Sequence, residues 1–326
     1  MNAVDHNNVV IFDDRGIPSI MCRFVRPKDT EEVPAVFKIG DKVADAIYIS
    51  KYPNIVIDGR AYSMPMADPT VNITFDEAVQ ACRCKGLGWH LMTAVEYEYL
   101  LNQSREKGTM PHGNTDWGKD YYHNEEQGKV SNLGRTYTGT GPVTWNHDHT
   151  PYGVSDLNGN VWEWLAGLRI KDGVIEFIPG NKAASPYCDL SKDSTEWQQA
   201  ETSKGPVRAN VECGEITITD AVAADDYEPN YDGVRIEELE VKLSEIPQVL
   251  KDLGIIPDKR AEEEGKTYVY FDATEGEYLP FRGSAFIFTS NSGPSALSLS
   301  YPRSDSVGIV GFRSAFYEVN GKLITE

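Results

Sequence analysis

Residues 152–164 read Tyr-Gly-Val-Ser-Asp-Leu-Asn-Gly-Asn-Val-Trp-Glu-Trp, the most specific string in the chain. Asn158-Gly159-Asn160 is turn chemistry, because glycine and asparagine tolerate the left-handed backbone that a tight turn needs. The run that follows predicts a strand, on which Trp162 and Trp164, two apart, share one face. That placement assigns both rings to the core rather than to a ligand platform. Asp156, Asn158, Asn160 and Glu163 crowd oxygen atoms into the same stretch, but their spacing does not match a contiguous calcium loop.

Working outward, two helix starts lie upstream. Thr74 followed three residues later by Glu77, and Thr93 followed by Glu96, are capping boxes. The first predicts a helix with Ala78, Ala81 and Cys82 inward as far as Gly86. The second turns Tyr97, Leu100 and Leu101 inward and is expected to end near Asn102. Residues 103–150, rich in Gly, Asn, Asp, Tyr and Thr, read as long ordered loops.

Downstream, residues 281–313 read FRGSAFIFTSNSGPSALSLSYPRSDSVGIVGFR. Arg282-Gly283-Ser284 opens this segment, Gly311-Phe312-Arg313 closes it, and Ala296, Leu297 and Leu299 supply apolar anchors. From Ala285 to Val310 there is no Lys, Glu, Gln, Trp or Met. Aromatics, Ser, Asn and Gly without long charged chains are the composition of a paratope. Serines at 290, 292, 295, 298, 300, 304 and 306 argue against a buried segment, since desolvated hydroxyls need partners.

The 152–164 string resembles the G-x-x-D-x-x-G-N-V-W-E-W signature of the formylglycine-generating-enzyme-like branch of the C-type lectin fold. Gly88–Glu98 is similar to that branch's helix entry, Arg282-Gly283-Ser284 to its R-G-G-S/N turn, and Gly311-Phe312-Arg313 to its closing strand. The resemblance implies an α+β C-type lectin fold, covering residues 72–169 and 280–316. It also implies what is missing: the enzymes carry reactive cysteines soon after the R-G-G-S turn, and Ala285–Ser300 contains none. Without a thiolate there, that chemistry has no nucleophile. The formylglycine-generating oxidoreductase is therefore the disfavoured alternative.

The segment instead resembles the variable region of the target proteins of diversity-generating retroelements. Arg282, Gly283, Gly293, Leu297, Leu299, Arg303, Ser304, Ser306, Gly311, Phe312 and Arg313 match that family's frame, and the departures fall mainly on its asparagine positions. Adenine-directed randomisation of AAC codons yields only residues whose codons end in C. That set excludes the five types absent here. The resemblance implies ligand contact by Ala285, Phe286, Ile287, Phe288, Ser290, Asn291, Ser295, Ser298, Ser300, Tyr301, Asp305, Val307, Gly308 and Ile309. Phe286, Ile287, Phe288 and Tyr301 are the expected anchors, because a few large side chains carry most binding energy. Trp162, Trp164, Arg282, Gly283, Gly311, Phe312 and Arg313 are the expected scaffold.

Composition bounds the rest. The 326 residues carry 31 basic and 50 acidic side chains, a net charge of −19. Nucleic acid is excluded as a partner, since phosphate binding needs a basic face. No apolar run approaches a membrane span, and residues 1–16 show no signal-peptide pattern. The expected placement is a phage tail-fibre tip, or alternatively a bacterial cell surface, with a protein or glycan on a cell as ligand. Multivalent display makes a homo-oligomer the expectation, a trimer first.

Five scattered cysteines, Cys22, Cys82, Cys84, Cys188 and Cys213, form no disulfide framework. The pattern Asn146-His147-Asp148-His149 lacks further ligands at fixed spacing and reads as structural. No metal or other cofactor is expected; calcium is the one ion that relatives of this fold sometimes hold near such loops. No catalytic residues are expected.

The expected organisation is a β-rich region 1–50, a lectin-like domain 51–316 with an insertion at 170–280, and a tail 317–326. Within the insertion, short strands are expected at Val174–Ile178, Glu215–Thr219 and Tyr268–Asp272. Helical spacing of Ile236, Leu239, Leu243, Ile246, Leu250 and Leu253 predicts an amphipathic helix near Arg235–Leu253, kinked or broken at Pro247. Asn320-Gly321 predicts a terminal hairpin.

Overall fold

A computed structural model describes residues 6–221 and 233–323. The extremes of the expected N-terminal region and tail, and part of the expected insertion, lie outside these residues.

Both capping boxes form. Helix α1 spans Phe75–Arg83, with Thr74 Oγ1 accepting from the Glu77 amide at 3.2 Å and Glu77 Oε2 accepting from the Thr74 amide at 2.9 Å. Helix α2 spans Ala94–Lys107 with the same reciprocal pair at Thr93 and Glu96. It runs five residues past the expected end at Asn102 and stops at Gly108, whose φ of +65° is the left-handed cap that glycine favours.

Two sheets frame these helices. In the six-stranded sheet His6–Phe12, Pro18–Val25, Ala46–Ser50, Ser314–Val319 and Lys322–Leu323 lie in that order, with His90–Leu91 also pairing to Ser314–Val319. Ile49 stands opposite Ala315. The N-terminal strands and the strands of residues 314–323 therefore belong to one sheet. The Asn320-Gly321 hairpin forms, pairing Glu318 with Leu323.

The twelve-stranded sheet runs Val234–Arg235, Tyr268–Phe271, Leu297–Tyr301, Glu277–Arg282, Leu168–Lys171, Val174–Phe177, Arg208–Glu212, Glu215–Thr219, Glu240–Lys242. Trp162–Trp164 pairs with both Glu277–Arg282 and Val310–Phe312, and a further short strand pairs with Val174–Phe177. Strands of the 170–280 region thus share a sheet with the 282–313 segment rather than forming a body of their own.

The amphipathic helix at Arg235–Leu253 does not form. Val234–Arg235 is a strand, Ile236–Glu238 a 3-10 turn, Glu240–Lys242 a strand, and only Gln248–Asp252 is helical (α3). Pro247, extended at φ −60° and ψ 140°, caps α3 and ends any helix approaching it. Val234 pairs with Val269, and Glu240–Lys242 runs parallel to Thr217–Thr219. Ile236, Leu250 and Leu253 still reach the core while Ile246 stays exposed. Sheet pairing has overridden the helical period.

Three hydrophobic clusters result, two of which reach the 282–313 segment. Cys22, Phe24, Ile47 and Ile49 pack with Tyr97, Leu100 and Leu101 of α2 and with Leu165 and Leu168. Phe75, Ala78 and Cys82 of α1 pack with Trp162, Trp164, Phe281, Val310 and Phe312. The 282–313 segment contributes Ala285, Ala296, Val310 and Phe312 to the second core and Leu297 and Leu299 to the first.

Candidate functional site

The turn at 158–160 locks the segment to its scaffold. Gly159 has φ +71°, its amide donates to the Gly283 carbonyl at 2.6 Å, and a Cβ there would come within 2.1 Å of the Asn114 carbonyl oxygen. Gly283, at φ +92°, would put a Cβ 2.6 Å from the Leu157 carbonyl oxygen. Neither position accepts a side chain.

Arginines pin both ends. Arg282 is buried, donates from Nη2 to the Gly254 carbonyl at 2.6 Å, and faces Glu98 Oε2 at 3.6 Å. Arg313, wholly buried, forms a bidentate pair with Glu163 at 2.9 and 2.7 Å and donates to the Ser50 and Ser155 carbonyls. Arg303 bridges Glu277, Asp76 and the Leu190 carbonyl. Leu297, Leu299, Gly311 and Phe312 are buried between these pins, and so are Trp162 and Trp164. Trp164 Nε1 donates to the Ile73 carbonyl at 3.0 Å.

Between the pins the positions expected to vary divide. Phe288, Ser298, Ser300, Tyr301, Asp305, Val307 and Ile309 line one cavity of about 310 Å³ together with Trp162, Tyr270, Phe281 and Val310. Trp162 is its aromatic hub, with ring centroids 5.2 Å from Phe281, 5.4 Å from Phe288 and 6.3 Å from Tyr270. Tyr301 lies 4.9 Å from Phe281. Ser298 and Ser300 share a 2.8 Å hydrogen bond. Ile287 and Gly308 are exposed outside the cavity, and Ser290 and Asn291 sit half-buried on the Thr289–Asn291 turn.

Four of the expected contact positions are buried. Ala285 is buried in the second core. Phe286 packs edge-on against Trp117 at 5.0 Å, and its backbone carbonyl accepts from the Trp117 amide, so this ring clamps a loop. Ser295 is buried and donates to Glu264 Oε1. Ser298, 2% exposed, keeps its place on the cavity wall but presents little surface. The serine argument against burial fails at 295 and 298 because each hydroxyl found a partner inside.

Tyr270 had no motif to announce it. It stands on the Tyr268–Phe271 strand, which pairs in parallel with Leu297–Tyr301, Tyr270 opposite Ser298. The role of Trp162 as a cavity wall as well as a core ring also needed the fold.

The oxygen-rich loop serves several partners. Asp156 Oδ2 accepts from the Gly139 amide, Asn158 Nδ2 donates to the Pro111 carbonyl, Asn160 joins Asn114 and Thr136, and Glu163 holds Arg313. Burial pushes the Asp156 carboxyl up to about 6. His147 Nδ1 accepts from the Val154 amide, and His149 Nε2 lies 3.1 Å from the Met110 carbonyl, so the two rings diverge. Among the described residues no group of three or more His, Cys, Asp or Glu side chains is arranged to hold a metal.

All five cysteines are free. Burial raises the thiols of Cys22 to about 12 and of Cys188 to about 11, and raises that of Cys82 as well. Cys84 and Cys213 are exposed, and no cysteine lines the aromatic cavity. No helix among the described residues is long and apolar enough to cross a membrane.

Residues 51–207 match the model of the Sulfatase-modifying factor enzyme 1-like domain. A 105-residue stretch, 30% of this chain, is 36% identical to the formylglycine-generating enzyme of Mus musculus, and it covers 27% of that enzyme. The likeness thus reaches about a quarter of the relative's length. Among solved structures, Treponema denticola variable protein 1 superposes with a TM-score of 0.35 at 11% identity, covering 95% of this chain and 99% of that one. A Major Tropism Determinant U1 variant gives the same TM-score and identity over 98% of this chain and 74% of that one. At these scores neither superposition bears on the fold or the site.

Proposed function

We propose that this chain is a ligand-binding protein in which a rigid frame displays exchangeable contact side chains along residues 282–313. One observation carries the reading: Arg282, Gly283, Leu297, Leu299, Gly311, Phe312 and Arg313 of the frame are buried, whereas seven positions expected to vary converge on a single aromatic cavity. A surface whose side chains must vary cannot also hold the fold together, and the partition keeps those duties apart. The same reading takes the scaffold as a C-type lectin fold of the formylglycine-generating-enzyme-like branch. It takes the variation as the product of a diversity-generating retroelement and the chain as non-catalytic. It places the protein at a phage tail-fibre tip, in a homo-oligomer, trimer first, that recognises a cell-surface receptor.

Two experiments test it. Replacing the segment's cavity-lining side chains with those of another variant should redirect adsorption from one cell type to another. Unchanged adsorption would remove the segment from recognition. In the source genome, a near-copy of the codons for 282–313 that differs only at adenines should lie beside a reverse transcriptase gene. A complete genome without that copy would remove the retroelement.

A second reading, an oxidase acting on a substrate cysteine, draws on the domain match over 51–207. It requires a thiolate within reach of the segment, and the thiols raised by burial are the opposite of an activated nucleophile. Activity that survives conversion of all five cysteines to serine would separate any catalysis here from that chemistry.

A further inference from the structure

The aromatic cavity has a chemical bias of its own. Its wall holds five aromatic rings, from Trp162, Tyr270, Phe281, Phe288 and Tyr301, with the hydroxyls of Ser298 and Ser300 and one carboxylate, Asp305. No Lys, Arg or His contributes to the lining. Arg303, two residues from Asp305, is occupied by Glu277 and Asp76. Among the described residues no cation is paired with Asp305. The cavity therefore offers aromatic walls, hydroxyl groups and one carboxylate without a cationic partner. Its volume of about 310 Å³ is near the small end for ligand pockets, roughly 300–1,000 Å³. A single long side chain suits it better than an extended molecule.

We infer that this cavity receives an arginine side chain from a basic protein surface. The inference rests on the binding function proposed above and names the chemistry of the receptor. Aromatic walls attract a cation held within about 6 Å of a ring centroid. A guanidinium is the cation suited to them, being planar, weakly hydrated and able to stack while its five donors reach a carboxylate and hydroxyls. Lysine's compact and strongly hydrated ammonium would lose more water and stack less. The whole chain's charge of −19 favours approach by a basic partner. The hydroxyls on the wall would also suit a sugar, but a neutral glycan leaves the Asp305 charge uncompensated in a largely aromatic recess.

The test uses the full chain and ligand-observed NMR titration, which reads millimolar affinities. The probes are the peptide Gly-Arg-Gly, its citrulline counterpart of the same shape without charge, and methyl glycosides of common hexoses. The arginine peptide should bind, and citrulline should bind at least about tenfold more weakly, the loss expected of a desolvated cation–aromatic contact. Asp305→Asn should weaken the arginine peptide and leave citrulline unchanged. Tyr301→Ala should weaken both, with a melting temperature close to that of the parent.

Equal binding of arginine and citrulline, binding of a glycoside alone, or no binding of any probe would overturn the inference. The two failures are distinguishable. If adsorption to cells follows the cavity-lining residues while the arginine peptide is ignored, only the ligand class falls. If adsorption is indifferent to those residues, the binding function falls with it.

Discussion

At the scale of single residues, the segment's rigidity depends on charges buried far from water. Arg313 and Glu163 pair bidentately, and two carbonyls take two further donors. Removing one member strands the other, so Arg313→Met should cost about 3–5 kcal/mol, read as a lower urea midpoint. Ile287→Ala, at an exposed position, should stay within about 0.5 kcal/mol. Asp156 makes a prediction about pH. Its carboxyl is raised from 3.8 to about 6, first by burial, while the Gly139 amide and Arg313 pull the other way. The folded state holds this proton more tightly than the unfolded state. The contribution is therefore complete below about pH 4 and is lost as pH rises through about 6. Asp156→Asn, which keeps an acceptor for the Gly139 amide, should match the parent near pH 4. Near pH 8 it should be more stable by up to about 3 kcal/mol. Thermal denaturation at both pH values checks this; an equal effect at both would show that the buried carboxylate carries no penalty.

At the scale of elements, legibility followed how local the determinant was. The two capping boxes were visible because four consecutive residues specify them. Thr93→Ala should lower stability by about 1 kcal/mol or more, measured by denaturant titration, and by more than Thr74→Ala. The Thr93–Glu96 pair is buried while Thr74–Glu77 is exposed. The Gly159 turn and the Trp162–Trp164 strand were legible for the same reason. The Arg235–Leu253 pattern misled because its determinants are distant. Ile236, Leu250 and Leu253 do face inward, but residues 217–219 and 268–269 recruit the backbone on either side into strands. A period of hydrophobic residues says which side chains are buried; it does not say which backbone buries them.

At the scale of the whole molecule, the 282–313 segment was legible as a frame with positions expected to vary, but not as a shape. Arg282, Gly283, Leu297, Leu299, Gly311, Phe312 and Arg313 lie in the interior. The positions expected to vary did not share one fate, because depth is set by neighbours supplied from elsewhere. Trp117 covers Phe286, Glu264 takes Ser295, and Tyr270 closes the cavity from the parallel strand beside Leu297–Tyr301. None of these three could be read from the segment itself. They are expected to divide its positions into those that tolerate exchange and those that do not. Simultaneous substitution of Phe288, Ser300, Tyr301, Asp305, Val307 and Ile309 should preserve folding, whereas Ala285 and Phe286 should behave as core.

The central claim is that partition. Its most direct measurement is a library of full-length chains randomised at Ala285 to Ile309, displayed and sorted for protease resistance, then sequenced. We predict that folded clones accept polar and apolar residues alike at 288, 300, 301, 305, 307 and 309 while keeping small or aromatic residues at 285 and 286. Intolerance at the cavity positions equal to that at 285 and 286 would contradict the account, because the cavity wall would then be core and not contact surface.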